Sequence, residues 1–134
     1  MLKSACINPE IMKVLSLCGH GDKVLIADGN YPLDSKTGDS KKVYLGLTSG
    51  SPTATEVLEV LTQVINVEKA EVMTPDGENP PIFDEFTKIL GGMELSGLSR
   101  YEFYDACCEP VVRLSISTGE KRTFANILLT VNVA

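Results

Sequence analysis

The fold turns on one stretch, Lys23-Val24-Leu25-Ile26-Ala27-Asp28. Four consecutive apolar residues bounded by charge leave no polar face, so the run reads as a short strand buried on both sides. Such a strand belongs in the middle of a sheet with a layer packed on each face. It ends in a carboxylate, and Gly29-Asn30-Tyr31-Pro32 turns the chain away.

Working outward, helix and strand signals alternate. Upstream, Asn8-Pro9-Glu10 starts a helix: Asn caps, Pro is pre-set for the first helical position and Glu suits the positive end of the dipole. Ile11, Val14, Leu15 and Cys18 recur at helical spacing, and Gly19 stops the run. Downstream, residues 33–40 are polar loop and Lys42-Val43-Tyr44-Leu45 is a strand. Ser51-Pro52 opens a second helix with Val57, Leu58, Leu61, Val64 and Ile65 on one face. Val67 to Met73 forms a further strand, Thr74-Pro75-Asp76-Gly77 a turn, and Pro80-Pro81 starts a third helix carrying Ile82, Phe83, Phe86, Ile89 and Leu90 inward. Ser99 caps a short helix over residues 100–108, ended by Pro110. Val111–Ser117 and Thr123–Val131 then read as the two strands of a β-hairpin joined by Thr118-Gly119-Glu120-Lys121. The alternation predicts a single-domain layered α/β fold over residues 1–134, a central sheet flanked by helices.

Composition bounds the partners. The 134 residues carry 12 Lys+Arg against 18 Asp+Glu, a net charge of -6, and 43% hydrophobic residues, enough for one self-sufficient core. The basic residues are scattered, with no stripe to neutralise a phosphate backbone, which argues against nucleic-acid binding. No apolar run approaches the ~20 residues that span a bilayer, and the N-terminus has no apolar signal core, so the expected compartment is the cytoplasm and no membrane association is expected. Cys6, Cys18, Cys107 and Cys108 make no C-x-x-C pair and are expected as reduced, packed thiols. With a single His as well, neither a metal site nor a cofactor motif is indicated.

The residues able to do chemistry are few. His20, between Gly19 and Gly21, titrates near neutrality and is open to close approach, which suits proton transfer; the alternative is a helix-stop loop in which it only satisfies a carbonyl. Asp28 stands where α/β sheets present ligands, outside the carboxyl end of a strand, or else caps its own turn. Arg100 in the first turn of a helix opposes the dipole, which suggests a guanidinium held for a ligand or a neighbouring acid; with Tyr101 and Tyr104 it equally reads as a solvated Arg beside core aromatics. Asn126, an amide within an apolar run, requires partners. Gly119-Glu120 reads as turn chemistry. Together these residues suit hydrogen bonding to a neutral polyhydroxylated molecule.

As a set the motifs resemble a family. Leu15–Asp28, the Tyr31-Pro32 that follows, Arg100-Tyr101-Glu102-Phe103-Tyr104, and Thr118-Gly119-Glu120 with Phe124-Ala125-Asn126-Ile127-Leu128-Leu129 are similar, in order and spacing, to the L-fucose mutarotase and D-ribose pyranase family. Residues 34–98 are only loosely alike, and the R-x-x-F-Y segment is nearer to the fucose branch. The resemblance implies a homo-oligomeric ring, commonly a decamer, with sites near subunit contacts, interconverting monosaccharide anomers or ring forms without metal or cofactor. It places the acid/base histidine on His20, the sugar-binding carboxylate on Asp28, the arginine on Arg100, and the C-terminal binding segment on Phe124, Ala125 and Asn126. Where the family usually has tyrosine this chain has Phe124, so the resemblance also implies an alternative, a sugar-binding or regulatory ring protein with weakened turnover.

Overall fold

A computed structural model describes all residues, 1–134. The chain runs α1 (Pro9–Leu17), β1 (Lys23–Ala27), β2 (Lys41–Tyr44), α2 (Ala54–Leu61), β3 (Val67–Met73), α3 (Ile82–Ile89), β4 (Ser96–Leu98), α4 (Arg100–Cys107), β5 (Val112–Ser117) and β6 (Ile127–Val131). The strands form one six-stranded mixed sheet in the order β2-β5-β1-β6-β3-β4.

The first and fourth helices are capped where the sequence predicts, whereas the second starts later than the expected Ser51-Pro52, at Ala54 behind Thr53, and ends at Leu61, short of Val64 and Ile65. The Asn8 side chain accepts from Ile11 N–H at the start of α1, and Thr53 and Ser99 each close a reciprocal capping box, with Glu56 and Glu102. β1 is central and its four apolar residues are buried on both faces. Side chains alternate across a strand, so Val24 and Ile26 join Ile127, Leu129, Leu114 and Ile116 beneath α1, α2 and α3, a core of 21 buried residues. Leu25, Ala27 and Leu128 point the other way, to ten buried residues that include Phe103 and Cys107 of α4 and the loop residues Tyr31 and Leu33. Helices therefore cover both faces, the layered α/β fold expected. All four cysteines are free thiols, and burial pushes Cys107 up to about 12.

The hairpin expected at the C-terminus does not form. β5 runs parallel to β1 and β6 antiparallel to it, so β1 separates the two. The reason is the apolar run itself: burying Val24 to Ala27 on both faces requires a neighbour on each edge of β1, and the two C-terminal strands supply them. The expected strand from Thr123 also shortens to Ile127–Val131, which frees residues 118–126 to cross over the carboxyl end of β1. β4, only three residues long, had no periodicity to reveal it. Since β6 alone is reversed, the carboxyl ends of the other five strands share one edge of the sheet.

The crossing segment is seated by Gly119. Its N–H donates to the Pro52 carbonyl at 2.9 Å and its carbonyl accepts from Gly50 N–H at 2.6 Å. A methyl group at position 119 would run into the Ser51 and Thr48 carbonyl oxygens, whereas one at Gly77 would meet nothing. Gly119→Ala should therefore destabilise the protein by about 1–3 kcal/mol, as overpacking against backbone does, and Gly77→Ala should leave it unchanged within about 0.5 kcal/mol. Urea unfolding monitored by circular dichroism checks both.

Candidate functional site

At the carboxyl edge of the sheet lies a cavity of about 140 Å³, lined by Asp28, Asn30, Tyr31, Met73, Arg100, Tyr104, Thr123, Phe124 and Asn126. Each wall comes from a different strand end. Asp28 follows β1, Met73 closes β3, Arg100 follows β4, and residues 123–126 precede β6. The volume equals on the order of five waters, the scale of one small polar molecule.

Asp28 is 2% exposed and forms no ion pair. Backbone and amide donors hold it: Asn30 N–H donates to Oδ1 at 2.9 Å, and Ala125 N–H and Asn126 Nδ2 each donate to Oδ2 at 3.3 Å. Asn126 Oδ1 accepts from Asp28 N–H at 2.8 Å, so the two residues exchange hydrogen bonds. Burial raises the carboxyl above its ordinary range, and the hydrogen bonds recover only part of that cost. Asp28 caps its own turn, one of its two sequence readings, and it also lines the cavity. Asn126 keeps one amide hydrogen beyond its bond to Asp28.

Phe124 is the one non-glycine residue with a left-handed backbone, φ 60°. A bulky residue in that region is strained by about 1–3 kcal/mol and persists only when its surroundings hold it there. The hold comes from Glu120, which the sequence offered only as turn chemistry. Glu120 is 3% exposed and accepts from Arg122 N–H and Nε, both 3.0 Å to Oε1, from Arg122 Nη2 at 3.0 Å, and from Ala54 N–H at 3.2 Å. Arg122 Nη1 also pairs with Glu85 on α3. The loop is thus fastened to the first turn of α2 and to α3 on the way to Phe124. The sequence did not mark its reach, because Ala54 and Glu85 are distant in the chain.

Arg100 lines the cavity, is exposed and makes no ion pair, so no neighbouring acid accounts for it. Tyr101 points away, 74% exposed. Tyr31 and Tyr104 line the cavity edge to face, 5.5 Å between ring centroids. The Tyr31 hydroxyl is committed to the Lys36 carbonyl at 2.9 Å, which leaves Tyr104 as the phenol of the cavity with no hydrogen bond of its own.

His20 is not in this cavity. It precedes β1 whereas Asp28 follows it, and five strand residues set the two apart by about 16 Å or more. Its side chain is 54% exposed and its Nε2 lies 2.8 Å from Glu68 Oε1 at the start of β3. One chain therefore brings together Asp28, Arg100, Phe124 and Asn126, with Ala125 contributing its N–H, and leaves His20 at the opposite edge.

With this geometry in place, the whole chain, residues 1–134, matches the model of the RbsD / FucU transport protein family. The chain belongs to the RbsD/FucU family. Among its RbsD/FucU relatives, the D-ribose pyranase of Staphylococcus haemolyticus is 37% identical over 132 residues, 96% of this chain and 95% of that one. Bacillus subtilis RbsD, solved in complex with D-ribose, superposes with a TM-score of 0.87 at 27% identity, covering 100% of this chain and 99% of its own. The fucose mutarotase of Streptococcus pneumoniae, solved with L-fucose, shares the fold at TM-score 0.86 and 22% identity, covering 100% and 99% of the two chains. No helix of this RbsD/FucU protein is long and apolar enough to cross a membrane.

The clasp on the crossing loop carries a pH signature. Burial would raise Glu120, but the hydrogen bonds from Arg122 and Ala54 outweigh it and hold the carboxyl below the ordinary glutamate range. A carboxyl depressed by folding lends stability above its unfolded pKa and loses it as pH falls toward the folded one. Glu120→Gln should cost about 2 kcal/mol at pH 7, and the gap from wild type should narrow as the pH is lowered through the acidic range. Urea titrations across that range check the direction.

Proposed function

We propose that the protein is a monosaccharide mutarotase or pyranase, acting on L-fucose or a related sugar, with His20 as the acid/base group. The observation that carries this reading is the reciprocal pairing of Asp28 and Asn126 in the wall of a small cavity that Arg100 and aromatic side chains also line. A carboxylate and an amide fixed side by side suit sugar hydroxyls, and ring faces suit the C–H surface of a sugar. The names of the relatives, D-ribose pyranase and fucose mutarotase, support the reaction class. Arg100 and its helix favour L-fucose; the 37% identical relative brings D-ribose alongside it.

The chemistry is proton transfer alone. The anomeric O–H loses its proton to a base, the ring oxygen gains one, and the C1–ring oxygen bond opens to an aldehyde that recloses on its other face. An imidazole can both accept and donate a proton, so His20 can serve both transfers, and such help is worth about 100- to 10,000-fold per positioned group. Asp28 and Asn126 fix the hydroxyls and Arg100 donates in a fork. Since His20 stands at the opposite edge of the sheet, the site closes only when one copy's His20 enters another copy's cavity, as in the ring, commonly a decamer, that the resemblance implies. Leu17, 75% exposed three residues before His20, and Tyr101, 74% exposed beside Arg100, give each edge an apolar contact to bury. A cytoplasmic place of action belongs to the same proposal.

A second reading follows from Phe124. Without the hydroxyl, the protein binds sugar in the same pocket with weakened turnover.

Saturation-transfer NMR on L-fucose and D-ribose tests the first reading. Excess anomer or ring exchange is expected with wild type and a loss of about 100-fold or more with His20→Ala, folding intact. Wild type matching buffer on both sugars removes the enzyme reading, and sugar binding without exchange, in wild type and Phe124→Tyr alike, favours the second. Asp28→Asn should be equally inactive, and mixing unfolded His20→Ala and Asp28→Asn chains before reassembly should restore on the order of a quarter of the sites, because one intact His20 then meets one intact Asp28. Mixtures that stay inactive count against a site shared between copies.

A further inference from the structure

The pairing of β3 with β6 is interrupted at one point. Val67 faces Val131 and Lys69 faces Thr130, so two steps along β3 match one step along β6 and Glu68 is the extra residue of a β-bulge. A bulge bends its strand and re-aims a side chain. Here Glu68 and Lys69 are both exposed in succession, and Glu68 Oε1 reaches His20 Nε2 at 2.8 Å.

The backbone on the other side is equally fixed. Gly21 N–H donates to the Val131 carbonyl and Val131 N–H to the Asp22 carbonyl, while Gly19 N–H donates to Asp22 Oδ2 at 2.8 Å. Gly21 takes φ 92°, which a side chain would strain. The loop holding His20 and the bulge holding Glu68 are thus both tied to the end of β6, at Val131. An imidazole beside a carboxylate has little choice of tautomer, since an ionised carboxylate only accepts and the nitrogen facing it must carry the hydrogen.

Resting on the proposed acid/base role of His20, we infer that Glu68 is its positioning residue. The bulge turns the Glu68 carboxylate onto Nε2, Nε2 carries the hydrogen, and Nδ1 presents the lone pair that exchanges a proton with the sugar. In each transfer Nδ1 takes the proton from the anomeric hydroxyl and returns one to the ring oxygen, while the Nε2–H···Glu68 bond stays in place and steadies the imidazolium that forms between the two steps.

The single histidine makes the test direct. Long-range ¹H–¹⁵N NMR of uniformly labelled wild-type protein, at a pH where the imidazole is neutral, should show one Nε2–H tautomer, and an Nδ1–H tautomer overturns the inference without any variant. Glu68→Ala should give a mixture of tautomers and lower kcat by about tenfold or more with KM little changed, the assembly mass being the same as wild type. Glu68→Gln, whose side-chain carbonyl still accepts from Nε2–H, should keep the wild-type tautomer and recover part of the rate. If Glu68→Ala turns over as fast as wild type while His20→Ala is inactive, the positioning role fails and the enzyme reading stands. If His20→Ala is as active as wild type, the enzyme reading fails, and the inference with it.

Discussion

A carboxylate buried without a counter-charge sets the terms for this protein. Asp28 closes a strand that is covered on both faces, and a charge placed there is costly unless several donors converge on it. No lysine or arginine answers it. The donors are the backbone of its own turn and a segment almost a hundred residues later in the chain, Ala125 and Asn126. With β5 and β6 set on either side of β1, the segment joining them must cross the end of β1, and that crossing brings Ala125 and Asn126 to Asp28 at the mouth of β6.

The same requirement carries a local strain. To present Ala125 N–H and the Asn126 amide to Asp28, the backbone turns through a left-handed Phe124, a conformation the residue does not favour. Stabilising contacts sit on either side of it. Gly119 lets the loop lie directly on the 48–51 turn, the Glu120 and Arg122 clasp joins it to two helices, and Ile127 to Val131 lock it into the sheet. The rigid donors around Asp28 are thereby held in place before any ligand arrives, so little ordering remains to be done on binding.

Much of this was legible in sequence where the signals are local. Asn8-Pro9-Glu10 and Ser99 cap within three residues of themselves, the second helix was read two residues early at Ser51-Pro52 although Thr53 caps it, and the doubly buried Val24–Ala27 run declared a central strand. Asp28, Arg100 and Asn126 were picked out singly and Phe124 through the resemblance, and the fold gathers them round one cavity. What stayed hidden depends on pairing between distant segments. A hairpin and two strands flanking a third have the same apolar pattern, so β5 and β6 were indistinguishable from a hairpin until β1 needed two neighbours. Glu120 looked like a turn residue because Ala54 and Glu85 are far away in the chain. Glu68 had no signal at all, since a bulge is a property of two strands in register and not of either alone. Its glycine setting and the resemblance both put His20 among the candidates, and the fold sets it at the far edge.

The distance between His20 and Asp28 bears on how such a protein responds to its own abundance. Each copy has a complete core on both faces of its sheet, so folding does not wait for a neighbour. The proposed chemistry does. Dilution would then separate two properties that usually fail together: the chain would keep its shape at concentrations where the sites had come apart. Abundance, rather than the stability of the individual chain, would set how much of the protein is competent at a given moment.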